Sequence, residues 1–152
     1  MSMTRRSVIK AIASGATLVG MGVLLPRLAF AAWNEKAFRA KDQGTAMQEL
    51  LGGEPQPSPD IMLKAPDIAE NGAVVPVTVS STLPGVETIS LFVEDNPTPL
   101  AVEFMLPPGT DADISTRIRM GKTSKITAVV KAEGKLYSAV KEVKVTIGGC
   151  GG

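Results

Sequence analysis

The chain reads as mainly β: an immunoglobulin-like antiparallel β-sandwich with an N-terminal helix and a flexible, glycine-rich C-terminal tail. Three observations lead there. From Ile61 onward, about seven short candidate strands alternate with turn signals, the pattern of a two-sheet antiparallel sandwich. Within them apolar residues alternate: Ile114, Thr116, Ile118 and Met120 fall on one side, Ser115, Arg117 and Arg119 on the other, as a half-buried strand requires. At 152 residues the chain has room for one such domain once a targeting segment is subtracted.

The first element is that targeting segment, residues 1–31. Thr4-Arg5-Arg6-Ser7-Val8-Ile9-Lys10 is a charged start, and Ala11 to Pro26 is an uncharged stretch rich in Ala, Gly, Val and Leu. Ala29-Phe30-Ala31 puts small residues where a signal peptidase reads, so cleavage is expected between Ala31 and Ala32. The competing reading, a membrane anchor, is disfavoured because the apolar stretch falls short of the roughly 20 residues that span a bilayer. The processed chain is therefore expected off the membrane. The adjacent Arg5 and Arg6 resemble the twin-arginine export signal, with Val8 where that pattern often has Phe. The resemblance implies export to the periplasm of a protein already folded, often with a signal-less partner bound.

Residues 32–53 read as one amphipathic helix. Trp33, Ala37, Ala40, Gly44, Met47 and Leu51 recur at steps of four and three, one helical face. Gly52-Gly53 stops it, and Gly44 weakens its middle by about 1 kcal/mol relative to alanine. Its apolar stripe has two possible destinations, its own domain or a partner. Glu54-Pro55-Gln56-Pro57-Ser58-Pro59 then reads as a stiff linker, 54–60, because proline at alternate positions holds a chain extended.

The sandwich spans 61–147. Its candidate strands are Ile61 to Leu63, Val74 to Ser80, Thr88 to Val93, Leu100 to Met105, Ile114 to Met120, Lys125 to Val130 and Leu136 to Ile147. Asn71-Gly72, Pro84-Gly85, Asp95-Asn96-Pro97, Pro107-Pro108-Gly109, Gly121 and Glu133-Gly134 mark the turns. Pro76, which has no N–H to donate, places its strand at a sheet edge or bulge.

Last comes the tail, 148–152, Gly148-Gly149-Cys150-Gly151-Gly152. It holds the one cysteine of the chain. Glycine visits backbone regions closed to other residues, so the tail is expected to be slim and flexible. A cysteine usually behaves as a small buried hydrophobe, but this one has no neighbours to bury it. It is expected to present its thiol to other molecules, roughly 10 Å beyond Ile147.

Composition narrows the chemistry. Net charge is +1, from 16 basic and 15 acidic residues. Arg5, Arg6, Lys10 and Arg27 lie in the leader, which holds no acid; without them 12 basic residues face 15 acidic ones, a net −3. A weakly acidic domain with no basic patch gives nucleic-acid binding no electrostatic support. With no histidine and one cysteine, the chain by itself lacks the ligands of the usual zinc, haem or iron–sulfur sites, and no cofactor is expected. It also lacks the Cys–His and Ser–His pairs of the commonest nucleophilic enzymes.

Two stretches, the terminal Gly-Gly-Cys-Gly-Gly and Asp67-Ile68-Ala69-Glu70-Asn71-Gly72 followed by Val74 to Val79, resemble the SoxY family, the sulfur-carrier subunits of the periplasmic thiosulfate-oxidising Sox system. The similarity extends along the chain, from leader through helix and sandwich to tail. It implies a heterodimer with a SoxZ-like subunit, and a sulfur adduct carried covalently on Cys150. It implies as further partners a haem enzyme that couples thiosulfate, a hydrolase that releases sulfate and a molybdenum–haem enzyme that oxidises the remaining sulfane sulfur. On this reading the glycines are the arm, and the chain is a carrier rather than an enzyme. A free thiol near its reference pKa of about 8.5 is only a few per cent ionised at neutral pH, so the visiting enzymes are expected to supply bases and metals.

Other readings compete with this one. A secreted structural module could use the unpaired thiol for an intermolecular disulfide. A stand-alone thiol redox enzyme would need a Cys-x-x-Cys pair, a resolving cysteine or an activating histidine, and the chain has none. A ubiquitin-like carrier activated at a terminal Gly-Gly would be cytoplasmic, against the leader, and would leave Cys150 without a role.

Overall fold

The computed structural model describes residues 33–146. The fold is the expected two-sheet sandwich, with its helical layer outside one sheet. The expected helix is in fact two, α1 (Glu35–Arg39) and α2 (Gln43–Leu51). Asn34 caps the first, its Oδ1 accepting the Ala37 N–H at 3.1 Å. Asp42 caps the second, accepting the Thr45 N–H at 2.8 Å. Aspartate competes for nearby backbone donors and so starts helices better than it continues them; that is why the run breaks at 40–42. Gly52, at φ 71°, closes α2 and donates its N–H to Gln48 O. The Asn34 side chain also donates to Glu49 O at 2.7 Å, tying the two helices together.

The break shifts the apolar phase. Ala37, Ala40 and Ala46 are buried, with Phe38, Met47, Leu50 and Leu51 partly so, whereas Gly44 is exposed. These side chains pack on Phe92, Leu100, Val129 and Leu136 of the chain's own sheet. The helical stripe therefore covers its own domain.

The strands are β1 (Gln56–Pro57), β2 (Ile61–Lys64), β3 (Ile68–Ala69), β4 (Val75–Ser81), β5 (Val86–Val93), β6 (Leu100–Met105), β7 (Asp113–Ile118), β8 (Ser124–Ala132) and β9 (Lys135–Val145). The larger sheet runs β1-β9-β8-β5-β6, with β3 also on β9; the smaller runs β2-β4-β7. Val75, Val77 and Val79 of the small sheet face Ile89, Leu91, Ile126, Ala128 and Val130 of the large one, and all are buried. In β5 and β8 the apolar run is nearly unbroken, because Phe92 and Val129 on the outer face lie under the helices. Strands covered on both faces lose the alternation that half-buried ones keep.

Two expectations change. The stretch expected to be a stiff linker, 54–60, is extended but also includes β1, which pairs in parallel with Tyr137 and Ser138 of β9. Proline's extended backbone suits a sheet edge, where its missing N–H is not needed. Pro76 is in neither an edge strand nor a bulge: β4 is the middle strand of the small sheet. It faces Arg117 on β7, while β2 has already ended at the Lys64–Thr78 pair. The absent donor therefore falls beside a strand that has stopped.

Candidate functional site

The residues singled out from the sequence, Cys150 with Ile147, Gly148, Gly149, Gly151 and Gly152, lie outside the described residues, as do Arg5, Arg6, Ala31 and Ala32. What the fold does build is the root from which the segment bearing Cys150 departs. β9 ends at Val145, four residues after Lys141 and five before Cys150.

Three backbone donors near that end are held from two sides. Lys144 N–H bonds Asp67 O at 3.0 Å and Thr146 N–H bonds Ala69 O at 3.1 Å, which is the parallel pairing with β3. Val145 N–H bonds the Thr123 hydroxyl at 3.0 Å. Val143 is fully buried in the core, so the last turn of β9 cannot slide without uncovering it. Lys141 reaches Asp67 at 3.0 Å and strengthens the same edge.

Gly72 is the tight point of this corner. A Cβ there would clash with the Met120 carbonyl oxygen and meet Val145 Cγ1 at 2.8 Å, so only glycine lets the three segments meet this closely. Its own carbonyl accepts the Met120 N–H at 2.7 Å. Asn71 sets up the approach by accepting the Ala73 N–H at 2.9 Å, an Asx-turn. The Asp67 to Gly72 stretch thus supplies carbonyls that hold β9 and a glycine that allows the packing.

The loop beyond β5 closes the same end. Asn96 donates to Arg119 O at 2.7 Å and accepts the Gly121 N–H at 3.1 Å. Lys122 pairs with Asp95 at 3.2 Å; together with a hydrogen bond to Ser124, this holds the Asp95 carboxyl below the usual carboxylate range. In β6, the strand that follows this loop, burial pushes the Glu103 carboxyl up, against the pull of Lys131. Among the described residues no group of three or more His, Cys, Asp or Glu side chains is placed to hold a metal ion. Nor is any helix there long and apolar enough to cross a membrane.

Sequence reasoning did not single out Gly72 as a packing point, nor Thr123 or Asn96 as clasps. Asn71-Gly72 and Asp95-Asn96-Pro97 carried turn signals, and a turn signal does not say which distant strand the turn will touch.

The family described as sulfur oxidation protein SoxY matches residues 47–150. The structure of the sulfur carrier protein SoxY from Chlorobium limicola f thiosulfatophilum is similar at 47% identity and a TM-score of 0.63, over 70% of this chain and 97% of that one. A superoxide reductase (neelaredoxin) from Ignicoccus hospitalis shares the fold alone, at 19% identity and a TM-score of 0.51, over 57% of this chain and 80% of its own. No curated protein matches the chain. The class so defined is an immunoglobulin-like protein of sulfur oxidation. Within that class, the chain belongs to the SoxY family.

Proposed function

We propose that this protein is a covalent sulfur carrier: Cys150 bears the substrate as a sulfur adduct, and the domain presents it to the enzymes of thiosulfate oxidation. One observation carries the reading. The family match extends to residue 150, so the single cysteine of the chain lies inside the matched segment and closes it. The carrier is not itself a catalyst, in keeping with a chain that has no histidine to activate a thiol.

The residues around Cys150 suit this work. Gly148, Gly149, Gly151 and Gly152 form the arm; they carry no side chains, so the backbone meets no steric obstacle in a narrow enzyme channel. The root at Val145 and Thr146 gives every visiting enzyme the same starting point. The partner is a SoxZ-like subunit, bound as a heterodimer, and the customers are the haem, hydrolase and molybdenum–haem enzymes of the Sox system. Arg5 and Arg6 direct export through the twin-arginine pathway to the periplasm, with cleavage between Ala31 and Ala32.

The test is the mass of the C-terminal peptide from thiosulfate-grown cells. Thiol-reversible additions of sulfur or sulfonate on Cys150 are expected there, and Cys150→Ser is expected to abolish turnover by the reconstituted system while leaving the fold intact. Free thiol and plain disulfide dimer as the only species, or undiminished turnover by the serine variant, would reject the carrier role.

A further inference from the structure

Both sheets stop at the same side of the sandwich: β6 ends the larger and β7 the smaller. The register of β7 decides which of its backbone groups are already used. Ser81 N–H bonds Ala112 O at 2.9 Å, and in an antiparallel ladder the bonded pairs recur at every second residue. Ile114, Thr116 and Ile118 therefore bond Val79, Val77 and Val75 of β4. The N–H and C=O groups of Asp113, Ser115 and Arg117 point the other way, toward the open side, and no turn or loop hydrogen bond among the described residues uses them. A row of such groups is a template for one more strand.

A groove of about 650 Å³ lies along this edge, between β6 and β7. With a rise of about 3.3 Å per residue, strands about 4.8 Å apart and sheets about 10 Å apart, it has room for roughly four residues of a single strand. Its two faces differ in chemistry. Leu100, Val102 and Ile118 make the inner face apolar, and Arg117 and Arg119 make the outer rim cationic. Among the described residues neither guanidinium has an acidic partner, and Asp113, exposed at the start of the strand, has no basic one. The outward positions of the edge thus run from negative to positive, with apolar positions between them. A second copy of the chain could match these charges about an axis at Ser115, Asp113 to Arg117. It would also bring its own β6 into the gap and set Glu103 close to Glu103, an opposition of like charges. The gap admits a strand, not another sandwich.

We infer that β7 is a strand-addition site for an extended segment of a partner polypeptide. The segment runs antiparallel to β7, with acidic residues opposite Arg117 and Arg119, a basic residue opposite Asp113 and small apolar residues at the alternate positions. Backbone bonds to Asp113, Ser115 and Arg117 supply the hold. The inward side chains bury against Leu100, Val102 and Ile118, and the charges fix direction and register. The assignment stands apart from the carrier reading, since it needs neither Cys150 nor an adduct. It gives the domain a grip on a partner that is independent of the tail.

The experiment uses the full processed chain and the acetylated, amidated peptide Glu-Val-Glu-Val-Thr-Val-Lys, whose first residue sits opposite Arg119 and whose last sits opposite Asp113. On binding, hydrogen exchange measured by NMR is expected to slow at the Asp113, Ser115 and Arg117 amides, and the Leu100–Val102 signals to shift. The Ile114 and Thr116 amides, already held by β4, are expected to stay as they were. In R117Q/R119Q the dissociation constant is expected to rise roughly tenfold, the scale of two exposed ion pairs. Ser115→Pro removes one outward N–H and no bond to β4, a change an edge strand tolerates. Binding is lost there and kept in Ser115→Ala, which lacks only the hydroxyl bonded to Thr78. Equal binding of the reversed sequence or of polyglutamate would reduce the edge to a charged patch and overturn the strand site, as would binding that leaves those three amides exchanging as before. If they are protected in the free chain in proportion to its concentration, a second copy takes the edge and the partner assignment falls. Should Ser115→Pro fail to fold, R117Q/R119Q and the exchange pattern still decide.

Discussion

At the scale of single residues, the anchoring corner turns on Gly72. Gly72→Ala places a methyl group against a backbone carbonyl, which cannot swing aside as a long side chain can. A loss of about 1–3 kcal/mol is expected, the usual cost of overpacking, read from the denaturant midpoint, together with faster exchange of the Val145 and Thr146 amides. Acid response is also set by individual groups. Asp42, capping α2 through the Thr45 N–H, and Asp95, beside Lys122, both have carboxyls below their ordinary value. The stability they contribute is present above the unfolded carboxylate pKa of about 3.9 and is lost as pH falls through their depressed folded values. Glu103 acts in the opposite sense, because burial raises its carboxyl. Its ionisation costs stability above its folded pKa, and that cost disappears on protonation. Glu103→Gln is therefore expected to raise the unfolding midpoint at pH 7 and to leave it nearly unchanged near pH 4, while the wild type falls off below pH 4.

At the scale of elements, Phe92 carries the helical layer. It is fully buried under Ala37, Ala40 and Ala46, and Phe92→Ala is expected to cost about 3–5 kcal/mol. Hydrogen exchange is expected to show α1 and α2 losing protection ahead of the sandwich. The strands were legible because alternation and turn residues are local signals: Lys125 to Val130 and the Glu133-Gly134 hairpin turn fall where the pattern put them, the strand expected over Ile114 to Met120 ends two residues sooner at Ile118, and both turn residues have positive φ, as a two-residue hairpin requires. The helix break was visible only in Asp42, whose capping strength competes with a continuous apolar stripe. The edge pairing of Gln56–Pro57 was not legible at all, since it depends on a strand about eighty residues further on. The same holds for the anchoring corner: Gly72, Thr123 and Val145 are distant in sequence, and nothing local predicts that they meet.

At the scale of the whole molecule, the immunoglobulin-like sandwich was readable from strand spacing alone, whereas its face for a partner was not. Helices cover the outer side of one sheet; the outer face of β2-β4-β7 carries exposed Met62 and Pro76 beside Lys64 and Arg117. A heterodimer with a SoxZ-like subunit is the expected assembly. Gentle purification of the processed chain from its host is expected to bring down one small partner in equal amount, measured by native mass. A monodisperse monomer would count against that assembly.

The double support of β9 has a mechanical consequence. An enzyme that draws on the end of the chain pulls along the strand axis, while the hydrogen bonds to β8 run across it. The paired length from Ser124–Val143 to Ala132–Lys135 is then loaded in shear, all bonds together, instead of peeling one at a time. On the proposed carrier role, tugging during handover would be borne by the scaffold as a unit, keeping the strand in register.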